Sequence, residues 1–298
     1  MRLIDFAKLQ RPQFLIAGLA LNMLGTLVAL HLGASMDWAK FALFQVVVFS
    51  SQLAGACANE LVDVGSDRLN KNRTWFSGGS GVLVSGRVAR KTIVYVLVLW
   101  TALMLAASLI LTFALETGIT SLLLMIMGLV LALSYSLKPM KLSFIGLGEL
   151  AMAFMCSILT PAVAFYVISG RFDNLIVLVT APIVFQMLGL MMVVENPDME
   201  ADLAAGKMNL VVRLGRVSSW NLGILMLVLG GLSALTGSMF GLPTKMAAAS
   251  STVLITEALV FWAIGNLQES RSKIFWSTAI SCGFYVLVIL LMAWTISQ

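Results

Sequence analysis

Asn59, Asp63 and Asp67 recur at intervals of four residues, and so do Asp198 and Asp202. On a helix, residues four apart share one face, so each set presents its oxygens together. Like charges at that spacing repel, unless a cation belongs between them. A hard divalent ion such as Mg²⁺ suits the pattern, because it takes oxygen ligands and is usually held by a few carboxylates plus substrate phosphates. Ions so placed neutralise a diphosphate leaving group and promote breaking of its C–O bond.

Seven of the chain's 14 acidic residues fall in two short stretches, Asn59 to Asp67 and Glu195 to Asp202. Asp63 precedes Asp198 by 135 residues, and Asp67 precedes Asp202 by the same 135. The match suggests two halves of four spans each, about 11–136 and 144–267, followed by a last helix over about 274–296. An even number of spans per half keeps the orientation of the repeat, so both clusters open on one membrane face. Pro197 suits the first turn of a new short helix or a kink, since proline lacks the N–H that a helix interior needs.

What must position these acids is a membrane bundle. Of 298 residues, 60% are hydrophobic and only 11% charged, against roughly 25% charged in a soluble globular protein. Nine apolar runs approach the length of about 20 residues that a bilayer needs. They are Phe14 to Leu32, Ala39 to Ala58, Ile93 to Leu115, Ile119 to Tyr135, Phe144 to Ser169, Leu175 to Val194, Trp220 to Leu242, Met246 to Leu267 and Ile274 to Ile296. The expected fold is an all-α polytopic bundle. The first run sits behind Arg2, Lys8 and Arg11 without a small-residue cleavage site, so it reads as a retained span. With the N-terminus cytoplasmic, only Lys40, Arg171 and Lys245 of the 19 Lys and Arg lie on the far side, in keeping with the positive-inside rule. That topology accounts for the net charge of +5 without a nucleic-acid partner. Cys57, Cys156 and Cys282 are odd in number and lack metal-binding spacing.

Basic residues on the acidic face complete a diphosphate site. Arg68 and Arg73 lie in the loop after the first cluster, the flexible Ser77 to Gly81 follows, and Lys138 and Lys141 lie just after the fourth span. Arg73, Lys138 and Lys141 are candidates for diphosphate oxygens that metals leave free. Glu149 and Glu257 fall inside spans, where an ionisable residue costs about 3 kcal/mol unless it faces a cavity or a partner; Glu149, closer to the Lys138 side, is the stronger candidate. A metal site capping an apolar bundle calls for a substrate with a diphosphate head and an apolar tail, which describes an isoprenyl diphosphate. An ion-coupled transporter is the first alternative, disfavoured because transporters put such acids near the midplane in broken helices. A Mg²⁺-dependent transferase moving a phospho-alcohol is the second; the Asp-Gly-x-x-Ala-Arg run expected there is absent.

Taken together, Asn59-xxx-Asp63-xxx-Asp67, Tyr135-Ser-x-x-Pro139, Gly146-Leu-Gly-Glu149 and Asp198-xxx-Asp202-xxx-Gly206-Lys207 closing in Arg213-Leu-Gly215 resemble the UbiA superfamily of intramembrane aromatic prenyltransferases. The likeness runs from Arg11-Pro12 to Gly215 by motif and onward by span count. It implies nine helices around a central cavity, with two Mg²⁺ between the motifs and the diphosphate. By that match Asn59, Asp63 and Asp67 hold one ion, Asp198 and Asp202 hold the other, and Tyr135 and Lys138 sit beside the diphosphate; Arg11, Arg68 and Lys207 belong to the same basic surroundings. The implied reaction is ionisation to an allylic cation, capture by an acceptor carbon or oxygen, and proton loss from a ring acceptor. Glu60 stands where the family commonly has the Asp of an Asn-Asp pair, which keeps the charge, Asn209 stands at a frequent Thr, and Ser77 to Gly81 replaces the proline-containing loop of several members. The Tyr-Ser-x-x-Pro and Gly-Leu-Gly-Glu elements look most similar to the naphthoate and chlorophyll-type branches, implying an aromatic quinone precursor as acceptor.

Overall fold

Long apolar segments in lipid must satisfy every backbone N–H and C=O internally, which leaves the helix as their local structure. In the computed structural model, which describes residues 2–71, 73–265 and 271–298, the described residues form helices and connecting turns with no strand. A short surface helix α1 (Leu3–Gln10) leads through a turn at Pro12–Phe14 into α2 (Leu15–His31) and α3 (Trp38–Val62). Then come α4 (Val64–Leu69), α5 (Arg90–Leu109) and α6 (Ile119–Ser134). One rod is built from α7 (Gly148–Met152), a π-helical segment Ala153–Leu159 and α8 (Thr160–Ser169). The remainder is α9 (Asn174–Glu195), α10 (Met199–Ala204), α11 (Leu210–Leu214), α12 (Arg216–Gly237), α13 (Thr244–Ile264) and α14 (Arg271–Ile296).

Eight of the described helical segments are long and apolar enough to cross a membrane. The expected fourth span is shorter: α6 has 16 residues, about 24 Å of helix against a hydrocarbon core of about 30 Å. Its N-terminus is set by Gly118, whose φ of +83° no side-chain-bearing residue adopts easily. The fifth run begins later than its hydropathy suggests, because Leu142–Phe144 forms a separate tight turn before Gly148. The expected end of the eighth span, Leu267, lies outside the described residues.

Of three buried apolar clusters among the described residues, the two largest hold the bundle together. One joins α2, α9, α12, α13 and α14 around Leu24, Ile183, Leu227 and Val288; the other joins α3, α5, α6 and α8 around Phe44, Met104, Leu129 and Val163. The outward faces are apolar as well. Val98, Leu99 and Phe113, on α5 and the π turn that extends it, are each more than half exposed, as side chains facing lipid can be without cost.

Close approach of α2 to α8 depends on Gly25, where a Cβ would stand 2.1 Å from the Pro161 carbonyl oxygen. Pro161 also explains the widened turn before it. Proline cannot donate to the preceding turn, and the helix answers with a π segment in which the Thr160 hydroxyl donates to the Met155 carbonyl at 2.9 Å. Met152, Met155, Cys156 and Leu159 from this stretch face an internal cavity lying between the two clusters.

Candidate active site

The cavity measures about 680 Å³, with carboxylates at one end and apolar side chains over most of its depth. One stripe of α3 lines it from end to end: Phe44, Val47, Val48, Gln52, Gly55, Asn59 and Asp63. Apart from the adjacent Val47 and Val48, successive members are three or four residues apart, which keeps them on one side of the helix.

Although α3 stops at Val62, its register carries on. The Asp63 amide donates to the Asn59 carbonyl and the Asp67 amide to the Asp63 carbonyl, both at 2.8 Å, so the three residues continue one face into α4. The second motif is built by interruption. After α9 ends at Glu195, Pro197 takes an early position in the tight turn Asn196–Asp198, where its missing N–H costs nothing, and α10 then carries Asp202. Asn196 anchors that turn by donating to the Arg216 carbonyl at 3.0 Å. Both α3 and α9 arrive with their C-terminal, partially negative ends, which adds to the demand for a cation.

The two acidic stretches meet. Lys207 Nζ lies 3.3 Å from Asp63 Oδ2 and 3.5 Å from Asp202 Oδ2. Asn70 Nδ2 donates to Asp198 Oδ1 at 2.6 Å, and the Gly78 amide donates to Asp198 Oδ2 at 3.0 Å. Asn209 has two roles: its amide nitrogen donates to Asp202 Oδ2 at 3.0 Å, and its oxygen accepts from the Val212 amide to cap α11. Ser136 donates to Asn59 Oδ1 at 3.0 Å. Asp63 Oδ1 and Asp67 Oδ2 are buried with no hydrogen-bond partner. A buried oxygen left so is costly, and a bound cation would satisfy it. Among the described residues no three His, Cys, Asp or Glu side chains converge on one point. Any metal shell here would be completed by ligands from outside the protein, water and substrate phosphate oxygens, as is usual for Mg²⁺.

The segment 73–81 covers this end of the cavity. Arg73 folds it by donating to the Gly78 carbonyl at 2.6 Å and the Asp67 carbonyl at 2.7 Å. Arg11 donates to the Phe76 carbonyl at 2.8 Å, Gln13 to the Trp75 carbonyl at 2.7 Å, and the Phe76 ring packs on Phe14 and Phe275. Glu60 lies outside the cavity lining and accepts the Ser80 and Leu83 amides. Gly79 lies so close to Asp67 that a Cβ would stand 1.9 Å from Oδ2, with φ of +67°.

Asn59, Asp63, Asp67, Tyr135, Asp198, Asp202, Lys207 and Arg11 line the cavity. Other basic residues singled out in the sequence do not. Lys138 and Arg68 are exposed, and Lys141 turns its ammonium onto the Phe144 ring, 3.6 Å from the centroid. Arg73 is consumed by the loop backbone. Glu149 is buried outside the cavity lining and accepts from the Leu210 amide at the start of α11, a positioning contact. Glu257 accepts from Gln186 at 2.8 Å and Ser281 at 3.0 Å, so its burial is accounted for by interhelical pairing. Sequence reading passed over Glu195, which lines the cavity and accepts from the Tyr135 hydroxyl at 3.3 Å. Its acidic type was the available signal, but its register, three residues before Asp198, gave no hint of Tyr135.

Burial, reinforced by Asp63 and Glu60, pushes the Asp67 carboxyl from its ordinary 3.8 up to about 7. Burial also raises the Tyr135 hydroxyl, with Glu195 adding to the shift. Burial alone would lower Lys207, yet Asp63 and Asp202 outweigh it and hold the ammonium charged. Asp67 titrates with an identifiable sign. The unfolded chain ionises it near 3.8 and the metal-free fold only near 7, so its contribution to metal-free stability is complete below about 4 and lost as pH rises through 7. A metal needs the ionised form. If Asp67 holds a metal, as proposed below, affinity is therefore expected to weaken about tenfold between pH 8 and pH 6, measured by Mn²⁺ titration of the purified protein.

A family model described as the UbiA prenyltransferase family matches residues 19–280. The chain belongs to the UbiA prenyltransferase family. The enzyme class follows: it is a prenyltransferase. Solved UbiA folds agree in architecture. A UbiA homologue from Aeropyrum pernix K1, in its apo structure, superposes with a TM-score of 0.70 at 18% identity, covering 93% of this chain and 94% of that one. A UbiA homologue from Archaeoglobus fulgidus bound to GPP and Mg²⁺ gives 0.67 at 17% identity over 98% and 99%. A digeranylgeranylglyceryl phosphate synthase gives 0.65 at 18% identity over 98% of both chains. No curated protein sequence matches the chain. Within the UbiA family, then, the departures at Glu60 and Asn209 are absorbed by contacts: Glu60 holds the cover segment by two backbone amides, and Asn209 orients Asp202 while capping α11.

Proposed function

We propose that this enzyme transfers an isoprenyl group from an isoprenyl diphosphate to an aromatic quinone precursor, with two Mg²⁺ ions at the head of the cavity. The observation that carries the reading is the meeting of both aspartate motifs at the polar end of a cavity that is otherwise apolar. Asn59, Asp63 and Asp67 hold one ion and Asp198 and Asp202 the other; the buried, unpartnered oxygens of Asp63 and Asp67 support that assignment. When bound, the ions supply neutralisation of the diphosphate as its charge grows. The bond from prenyl C1 to the diphosphate oxygen breaks, its electron pair leaves with the diphosphate, and the allylic cation takes an electron pair from the acceptor ring, which then sheds a proton.

The chain's own residues prepare this reaction in three ways. The Phe76 cover, pinned by Arg11, Gln13 and Asp198, excludes water that would quench a carbocation. The rings of Phe14, Phe76 and Tyr135 line the cavity, and aromatic faces attract cations. Lys207 is the charged amine that reaches the diphosphate seat. For the acceptor, the side-chain oxygens of Gln13 and Gln52 are buried without partners. Both amides are oriented by donating to carbonyls, of Trp75 and Phe14 respectively, which leaves the oxygens to accept from hydroxyl groups.

In the proposed topology nine helices, counting α6, form two parallel four-helix repeats and a last helix; the N-terminus and the site face the cytoplasm, and the protein resides in the cell membrane. The first residues of Pro12–His31 and Trp38–Val62 recur 136 positions later in Gly148–Ser169 and Asn174–Ala204, which supports the repeat. The test incubates purified protein, Mg²⁺ and labelled geranyl or geranylgeranyl diphosphate with naphthoate, hydroxybenzoate, chlorin and glycerol-phosphate acceptors. A labelled naphthoate or other quinone-type product is expected; a product from glycerol phosphate alone overturns the aromatic reading.

A further inference from the structure

Lys207 follows α10 and reaches back across the cavity mouth, so that one ammonium touches an aspartate from each motif: Asp63 Oδ2 at 3.3 Å and Asp202 Oδ2 at 3.5 Å. All three side chains are buried. The remaining oxygens are distributed unevenly. Asp202 has Asn209 as well, and Asp198 has Asn70 and the Gly78 amide, whereas Asp63 Oδ1 and Asp67 Oδ2 have nothing. Among the described residues Lys207 is thus the one cation within ion-pair distance of both motifs, with Arg11 acting on Asp67 and Asp198 from farther away, and it sits on the carboxylates assigned to metal.

We infer that Lys207 is a tethered stand-in for metal: when no ion is bound its ammonium neutralises Asp63 and Asp202, and it gives them up to the ion when the metal–diphosphate complex binds. The inference rests on the metal assignment proposed above. An ammonium and a divalent ion compete for the same oxygens, and in a buried site their repulsion is strong. Free metal therefore binds weakly while Lys207 occupies the gap. A diphosphate changes the balance by offering the ammonium new anionic oxygens, so donor and metal bind together better than either alone. Such reciprocal coupling is what two ligands sharing one switchable group must show. It also keeps the acidic pocket from unfolding its own mouth when empty, since buried carboxylates without a partner are strongly destabilising.

The deciding experiment measures Mn²⁺ binding by electron paramagnetic resonance in wild type, Lys207→Met and Lys207→Arg, each with and without geranyl thiodiphosphate. Melting temperatures are recorded in EDTA. Lys207→Met is expected to bind Mn²⁺ alone roughly ten- to hundredfold more tightly than wild type, to lose most of the coupling with the thiodiphosphate, and to melt earlier in EDTA with recovery on adding Mn²⁺. Lys207→Arg is expected to retain the wild-type order, because the charge remains. A merely structural lysine gives the opposite sign, weaker metal binding along with lower stability. Unchanged or weaker Mn²⁺ binding in a folded Lys207→Met overturns the stand-in role. Failure of wild type to bind Mn²⁺ even with thiodiphosphate overturns instead the metal assignment beneath it.

Discussion

Asp63→Asn is expected to lower prenyl transfer roughly a thousandfold, the scale seen when a charge-stabilising group is removed from a preorganised site. The physical reason is local. Asp63 is the carboxylate shared between an unpartnered oxygen, Oδ1, and the Lys207 contact through Oδ2. The amide keeps the volume and part of the hydrogen bonding but removes the charge proposed to hold a metal. Insertion and folding are expected to persist, because α3 packs through Phe44, Val47 and Leu53 rather than through Asp63. The measurement is release of labelled diphosphate from geranyl diphosphate, with gel filtration as the folding control. Asp198→Asn removes charge from the other motif and weakens the Asn70 and Gly78 contacts that hold the cover, so hydrolysis to prenyl alcohol should rise as a share of the residual turnover. Wild-type turnover in a folded Asp63→Asn sinks the metal assignment.

Gly55→Phe is expected to convert the enzyme to short donors. Gly55 faces the cavity one turn from Asn59, about 6 Å along the helix, and Phe44 lies a further 16 Å or so along the same stripe. A Cβ at Gly55 meets nothing closer than Ala132 at 3.7 Å, so the backbone accepts a side chain. The ring then fills the path that a long prenyl tail must take, and overpacking a defined cavity is not relieved cheaply. The expected result is a loss of roughly a hundredfold in kcat/KM for geranylgeranyl diphosphate with dimethylallyl diphosphate little affected. Equal loss for both donors places the tail elsewhere.

Much of the polar end was legible in advance, and the reason lies in the scarcity of charge. In a lipid-spanning chain each acid needs a reason for its position, so the four-residue spacing of Asn59, Asp63 and Asp67 and its echo at Asp198 and Asp202 stood out. Helix periodicity put each set on one face, and α4 preserved that register by continuing the hydrogen bonds of α3 across Asp63. The basic residues were less legible. Lys138, Lys141 and Lys207 all follow helix ends on the acidic side, and nothing in their local spacing distinguishes a diphosphate ligand from an interfacial anchor. Long flexible side chains go where surrounding charge and rings draw them: Lys141 to Phe144, Lys207 to two aspartates. Arg73 was named for its charge, yet its planar fork is used on the carbonyls of Gly78 and Asp67.

From sequence alone came the membrane class, the helical spans and the paired acidic motifs, because each depends on composition or on periodicity along one helix, and the family, because its motifs resemble those of known members residue by residue. Only the tertiary structure decided which cation reaches the acids, which loop covers them, and that α6 falls short of a full span. Those outcomes depend on contacts between residues far apart in the chain, such as Lys207 with Asp63 and Gly78 with Asp198, and no local pattern encodes them. The low charge content that marked this chain as a membrane protein also explains why Lys207 is drawn onto Asp63 and Asp202: with so little charge in so apolar a body, a buried carboxylate must find a partner within the protein or wait for one to bind.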